Sequence, residues 1–103
     1  MFARVSEYAG DPARLDAFGH EATEAVDSMH RLAAFRGAIV LGDRGTGRAL
    51  TITLWATETA LLATAAVGGD AVRDRLEERS VVPVGVERWE VLSSNLQGVP
   101  AAA

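Results

Sequence analysis

The chain contains no cysteine and no lysine. Lack of cysteine excludes disulfides, thiolate metal sites and a cysteine nucleophile together. All ten basic residues are therefore arginine. That usage accompanies many Ala, Gly and Val residues, reads as codon bias and carries no mechanistic weight. Aromatic residues are only 6% of the chain, so a core must be built mainly from Ala, Val and Leu. No segment approaches the ~20 consecutive apolar residues of a membrane span, and the N-terminal MFARVSEY has no long apolar run. The expected location is the cytoplasm. Net charge is −4 and no basic cluster stands out, which argues against nucleic acid or an anionic membrane as partner. There is no H-E-x-x-H, P-loop or G-x-G-x-x-G motif.

What is present fits one domain of 103 residues, 49% of them hydrophobic. A domain of this size buries roughly 60–70% of its unfolded surface, and pairing with a second copy would bury more. The expected domain spans residues 1–93, with 94–103 as a flexible tail lacking periodicity.

Phe2 to Tyr8 reads as a short strand stopped at Gly10. Asp11-Pro12 is a helix start, with Asp11 as N-cap and Pro12 at the first helical position. Leu15, Phe18, Ala22, Ala25, Val26, Met29, Leu32 and Ala33 then recur at three- and four-residue steps. This spacing predicts one long amphipathic helix, ended by Phe35-Arg36-Gly37. Ala38 to Leu41 reads as a strand, GDRGTG as a turn, and Arg48 to Trp55 as a second strand of an antiparallel hairpin. In that strand Leu50, Ile52 and Leu54 alternate with Thr51, Thr53 and Trp55. Thr57 and Thr59 can cap a second helix through Leu61, Leu62 and Val67. Gly68-Gly69 breaks it, and Asp70 caps a further piece with Val72 and Leu76. Pro83 opens a last strand, Val84 to Leu92.

The order β-α-β-β-α-β predicts an α+β, ferredoxin-like fold: a four-stranded antiparallel sheet with helices on one face. The strands are apolar on both sides over much of their length. A second copy packing sheet to sheet is the simplest cover for the face the helices leave open. A homodimer is therefore expected.

In this order, Ala3-Arg4-Val5, Gly10-Asp11-Pro12, Phe35-Arg36-Gly37, Asp43-Arg44 with Thr46-Gly47, Thr53-Leu54-Trp55 leading into Glu58-Thr59-Ala60-Leu61, and Val86 to Val91 carry a resemblance. The chain resembles the dimeric α+β barrel proteins, and within them the small antibiotic biosynthesis monooxygenase-like group. The resemblance implies a pocket between helices and sheet near the strand-end tryptophan, which Trp55 matches. The superfamily spans oxygenases, isomerases, haem-degrading enzymes and proteins without known activity, so fold alone does not name a reaction. The haem-degrading branch pairs its tryptophan with an asparagine on the first strand and a histidine on the second helix. Here the first strand offers Arg4, Ser6 and Glu7, and no histidine follows Trp55. Neither haem, nor a metal, nor another cofactor is expected.

The candidate pocket residues are Trp55, His30, Phe35, Tyr8 and Phe18, each with a packing role as the alternative. His30, at the border of the helical stripe, can act as acid or base or can pack at the helix end. His20, beside Glu24 one turn on, reads as a solvated pair. Arg4, Glu87, Arg88 and Glu90 suggest Arg–Glu pairs between the first and last strands. Two functions stay open. One is a cofactor-independent monooxygenase acting on a small aromatic or polyketide-like molecule. The other is a non-catalytic dimer that binds a small apolar ligand or serves a stress-related role.

Overall fold

A computed structural model of the protein describes residues 1–63 and 82–96. Four strands form one antiparallel sheet: β1 (Phe2–Ala9), β2 (Phe35–Gly42), β3 (Arg48–Trp55) and β4 (Val82–Glu90). Their order across the sheet is β2-β3-β1-β4, with β1 and β3 in the centre. Helix α1 (Leu15–Asp27) connects β1 to β2, and helix α2 begins at 58 and is described through 63. The expected α+β, ferredoxin-like sheet is the one observed. The Gly68-Gly69 break, the Asp70-capped piece with Val72 and Leu76, and the tail from Gln97 lie outside the described residues.

Local chemistry accounts for the starts of the helices. The Asp11 carboxylate accepts from the Ala13 amide at 2.9 Å, and Pro12 opens a 3-10 turn, Pro12–Arg14, that feeds α1. Thr57 caps α2, its hydroxyl oxygen accepting from the Ala60 amide at 3.2 Å. The single long helix expected up to Phe35 is not formed. α1 stops at Asp27, and a 3-10 turn over Ser28–Arg31 leads to Leu32 in extended conformation. The Ser28 hydroxyl donates to the Ala25 carbonyl, a local bond that competes with helix continuation. Pairing then takes over, because Phe35 already sits opposite Trp55 in the β2–β3 ladder. The buried stripe is shorter for the same reason. Leu15, Phe18 and Ala22 are buried, whereas Leu32 and Ala33 are exposed.

β2 is correspondingly longer than Ala38 to Leu41. Its register shifts between Phe35 and Gly37, so that Arg36 is the extra residue of a bulge. Gly37 takes φ +132° there, a conformation that side chains disfavour. β4 begins at Val82, ahead of the expected Val84, and a second irregularity lies opposite Glu7 and Tyr8. Pro83 faces Tyr8 and Gly85 faces Glu7, which leaves Val84 between them.

The hairpin turn is tied down at several points. The Asp43 carboxylate accepts from the Gly45 amide at 2.9 Å, and the Asp43 carbonyl accepts from Gly47 at 2.8 Å. The Gly45 amide, followed by the Thr46 hydroxyl, holds the Asp43 carboxyl below the usual carboxylate range. Gly47 has φ +81°, and a Cβ on it would stand 2.0 Å from the Gly10 carbonyl oxygen. Gly47→Ala is therefore expected to destabilise the fold by more than the ~1 kcal/mol typical of a left-handed residue alone, since backbone must also move. A urea melt checks this. An unchanged midpoint would mean that the Gly10–Gly47 approach is not maintained.

Two faces result, and their allocation decides where function can lie. Tyr8 of β1 packs on Phe18 of α1, with ring centroids 5.3 Å apart. The side of the sheet carrying Tyr8 is thus the one under the helices. Pairing puts Phe2, Arg4 and Ser6 of β1 on that side with Trp55, Thr53 and Thr51 of β3. Leu50, Ile52 and Leu54 face the other way, with Val5 and Ala3 of β1 and Ile39 and Leu41 of β2. The more apolar face is the one without helices. Sheets with one solvated face normally show the reverse arrangement.

Candidate functional site

The expected site residues fall into two groups at opposite ends of the helix-covered face. At one end Trp55, Phe35 and Leu61 form a buried cluster, packed by Phe2, Met29, Ala38 and Ala60. Trp55 is only 1% exposed. Phe35 meets it edge to face at 5.2 Å, and His30 meets Phe35 in the same manner at 5.3 Å. Such aromatic contacts contribute about 0.5–1.5 kcal/mol each beyond area burial. His30 is exposed at the outer end of this row, its Nε2 lying 3.7 Å from Asp27 Oδ1. At the other end Tyr8 and Phe18 belong to a separate cluster with Leu15, Ala22 and Ala49. The structure brings His30, Phe35 and Trp55 together and keeps Tyr8 and Phe18 apart from them.

Between the two ends lies a feature the sequence reading passed over. Ser6, Thr51 and Thr53 are all buried, and Arg4 is half-buried with its Nε fully enclosed. They line the helix-facing side of the two central strands, where apolar residues normally sit. The Trp55 indole N–H donates to the Thr53 hydroxyl at 3.0 Å, coupling the aromatic cluster to this polar row. The alternation of Thr51 and Thr53 with leucine and isoleucine was the available signal. It pointed to a polar face without saying that the face lies beneath helices.

The ladder register sets which charges of the first and last strands stand directly opposite one another. Arg4 stands opposite Arg88, and Glu87 stands opposite Val5. Glu90 is opposite Phe2, one pair along on the Arg4 side of the sheet. The bulge near Tyr8 fixes this register, so like charges face each other across β1 and β4. Further charged pairs form among the described residues. Arg48 donates through Nε and Nη2 to Glu7 Oε1 at the end of the open sheet face. Arg44 donates to Asp16 at 2.7 Å, tying the hairpin turn to α1. That hydrogen bond, with the adjacent charge, lowers the Asp16 pKa and raises that of Arg44. His20 and Glu24 make an exposed pair at 3.1 Å on α1.

Surface depressions among the described residues include two beside β2. One, about 240 Å³, lies between α1 and β2 and is bordered by Leu15, Phe18, His20, Val40 and Arg44. The other, about 210 Å³, lies at the hairpin end of the sheet between Leu41, Asp43, Arg48 and Leu50. Neither is lined by Trp55. Among the described residues no group of three or more His, Asp or Glu side chains is placed to hold a metal ion, and no helix is long and apolar enough to cross a membrane.

No family model matches the sequence, and no curated protein is significantly similar to it. Solved structures do match. An antibiotic biosynthesis monooxygenase assigned in Deinococcus radiodurans superposes with a TM-score of 0.74 at 14% identity, covering 91% of this chain and 95% of that one. A Nitrosomonas europaea protein of unknown function gives 0.72 at 14% identity, with 92% of each chain covered. SnoaB, a cofactor-independent oxygenase of Streptomyces nogalater, gives 0.69 at 14% identity over 91% of this chain and 95% of its own. At such identities the likeness speaks for architecture. The chain has the fold of the antibiotic biosynthesis monooxygenase structures, over nearly its whole length.

Proposed function

We propose that the protein is a small homodimer that oxygenates an aromatic or polyketide-like molecule without a cofactor, on the helix-covered face of its sheet. The observation that carries this reading is the polar row Arg4, Ser6, Thr51 and Thr53 beneath the helices, joined to Trp55 through Thr53. Buried hydroxyls weaken a core unless they are hydrogen-bonded or serve a ligand. The fold shared with a cofactor-independent oxygenase supports the reaction class.

The chemistry makes modest demands on the protein. An acidic C–H of the substrate loses its proton, and the resulting electron-rich anion reduces O2 to form a carbon–oxygen bond. The peroxide takes up a proton. Loss of a second C–H proton with O–O cleavage then leaves a carbonyl and one water. The substrate supplies all the electrons. A guanidinium held in a partly desolvated site lowers the energy of the anion, hydroxyls orient it, and helices exclude water.

The second copy belongs on the open face of the sheet. Val5, Leu50 and Ile52 stand beside Ile39 and Leu41, which are 37% and 45% exposed, while Trp89, opposite Ala3, is 57% exposed. A stable dimer interface hides about 800 Å² per partner. The alternative, a non-catalytic ligand-binding dimer, is favoured by one observation: Trp55 is enclosed and its N–H already bonded to Thr53.

Oxygen uptake separates the two. With a panel of air-oxidisable polycyclic phenols, an oxygenase is expected to consume one O2 per substrate and give a product carrying one more oxygen atom. Ligands that bind without accelerating uptake over their autoxidation would leave the binding reading standing and remove the catalytic one.

A further inference from the structure

We infer that Trp89 of each copy seats in the hairpin-end depression of the other, between the partner's Leu41 and Leu50, with the two sheets crossing at close to a right angle. The inference rests on the reading that a second copy covers the open face of the sheet, and it names how that copy docks. Trp89 lies on edge strand β4 opposite Ala3, which places it on the open side, and it is exposed. Ala3 and Leu54, the next residues of the same row, are buried with Met1. Trp89 is thus a large apolar side chain that this corner of the face leaves uncovered. The diagonally opposite corner holds the depression of about 210 Å³, whose Leu41, Leu50 and Arg48 belong to the open side. A cavity of about 150 Å³ already holds benzene. Asp43 borders the depression and carries a carboxylate that can accept from an indole N–H, the polar end of an interface tryptophan.

The dimensions of the sheet bring the two corners together. From Trp89 to Leu41 the distance is four residues along the strands, Ala3 to Glu7 on β1, and three strand spacings across. At about 3.4 Å per residue and about 4.8 Å per strand, both legs are roughly 14 Å. A two-fold axis lying in the face along its other diagonal therefore exchanges the two corners and sets Trp89 over the partner's Leu41. The same operation crosses the strands near 90°, one of the two usual classes of sheet packing. The corners that this axis meets carry Gly37, opposite Leu54, and Gly85, opposite Glu7, so no side chain holds the sheets apart there. Val5 and Ile52, at the centre, meet their own counterparts. An axis along or across the strands would instead put Trp89 over one of these glycines and the depression over the other.

Two tryptophans and no cysteine make the contact directly readable. Trp55 is enclosed, so quenching of fluorescence by iodide reports on Trp89. At a concentration where sedimentation finds two copies, the natural chain is expected to be quenched no more than Trp89→Phe. The Ile39→Glu chain, held apart as a monomer, should be quenched several-fold more. Trp89→Ala should raise the dissociation constant at least tenfold, as truncation of a buried interface tryptophan does. In the double variant Trp89→Cys/Leu41→Cys, at a concentration that keeps it paired, a short bis-maleimide should link the two copies. Neither single variant should be linked. A dimer whose Trp89 stays open to iodide, one that Trp89→Ala leaves intact, or one in which Trp89→Cys links to itself would each overturn this docking and leave the dimer standing. A folded monomer at micromolar concentration would remove the docking and the dimer together.

Discussion

Replacing Trp55 with alanine is expected to lower the melting temperature by roughly 15–30 °C at fixed protein concentration. The indole is 1% exposed and packs against Phe35 and Leu61, with Phe2 and Met29 at its margins. Removing a buried tryptophan costs about 3–5 kcal/mol, through lost transfer energy and the cavity left behind. For a domain near 100 residues, each kcal/mol moves the midpoint by about 4–8 °C. The substitution also leaves the buried Thr53 hydroxyl without the indole donor. Trp55→Phe should recover part of the loss, because a phenyl ring restores much of the apolar volume while leaving a smaller cavity and omitting the hydrogen bond. Thermal melts followed by circular dichroism read both variants. A drop of less than about 5 °C for Trp55→Ala would show that the Phe35–Trp55–Leu61 cluster does not hold this end of the sheet on the helices.

Placing a carboxylate in the middle of the open sheet face is expected to have a comparably large effect on association. Ile52 lies on central strand β3 between Val5 and Ile39. In a two-fold dimer formed through this face, Ile52→Glu puts an unpaired charge into the interface twice. Burying such a charge costs several kcal/mol, so the dissociation constant should rise by about three orders of magnitude or more. Sedimentation equilibrium at micromolar concentration should find the natural chain at twice 10.9 kDa and the variant near 10.9 kDa. The melting temperature should rise with concentration for the natural chain and not for the variant. Ile39→Glu, on edge strand β2, repeats the test where folding is less at risk. A natural chain that is folded and monomeric at micromolar concentration would remove the sheet-to-sheet dimer altogether.

Both experiments depend on which side of the sheet meets the helices, and that was not readable in one dimension. The alternation in β3 divides Leu50, Ile52 and Leu54 from Thr51, Thr53 and Trp55, because successive strand residues point to opposite sides. A period of two has no label for inside and outside. The Tyr8–Phe18 contact supplies the label, and it assigns the threonines to the covered face.

Short-range chemistry sets the punctuation and the order of the elements. Asp11-Pro12 starts a helical segment because a carboxylate can cap exposed amides and proline is already set for a first turn. Thr57 does the same for α2, and Asp43 to Gly47 turns the hairpin because glycine alone tolerates the approach to Gly10. These are interactions over a few residues, so their chemistry is written locally. The end of α1, the bulge that draws Phe35 back to Trp55, and the register that sets Arg4 against Arg88 were decided by tertiary structure. Each is a competition between a local preference and pairing with a strand far away in the chain. The helical stripe continues to Ala33 in the sequence, yet the chain leaves the helix at Asp27 because the ladder with β3 claims the residues that follow. The opposed arginines likewise arise from a one-residue irregularity in β4, which sequence alternation cannot announce.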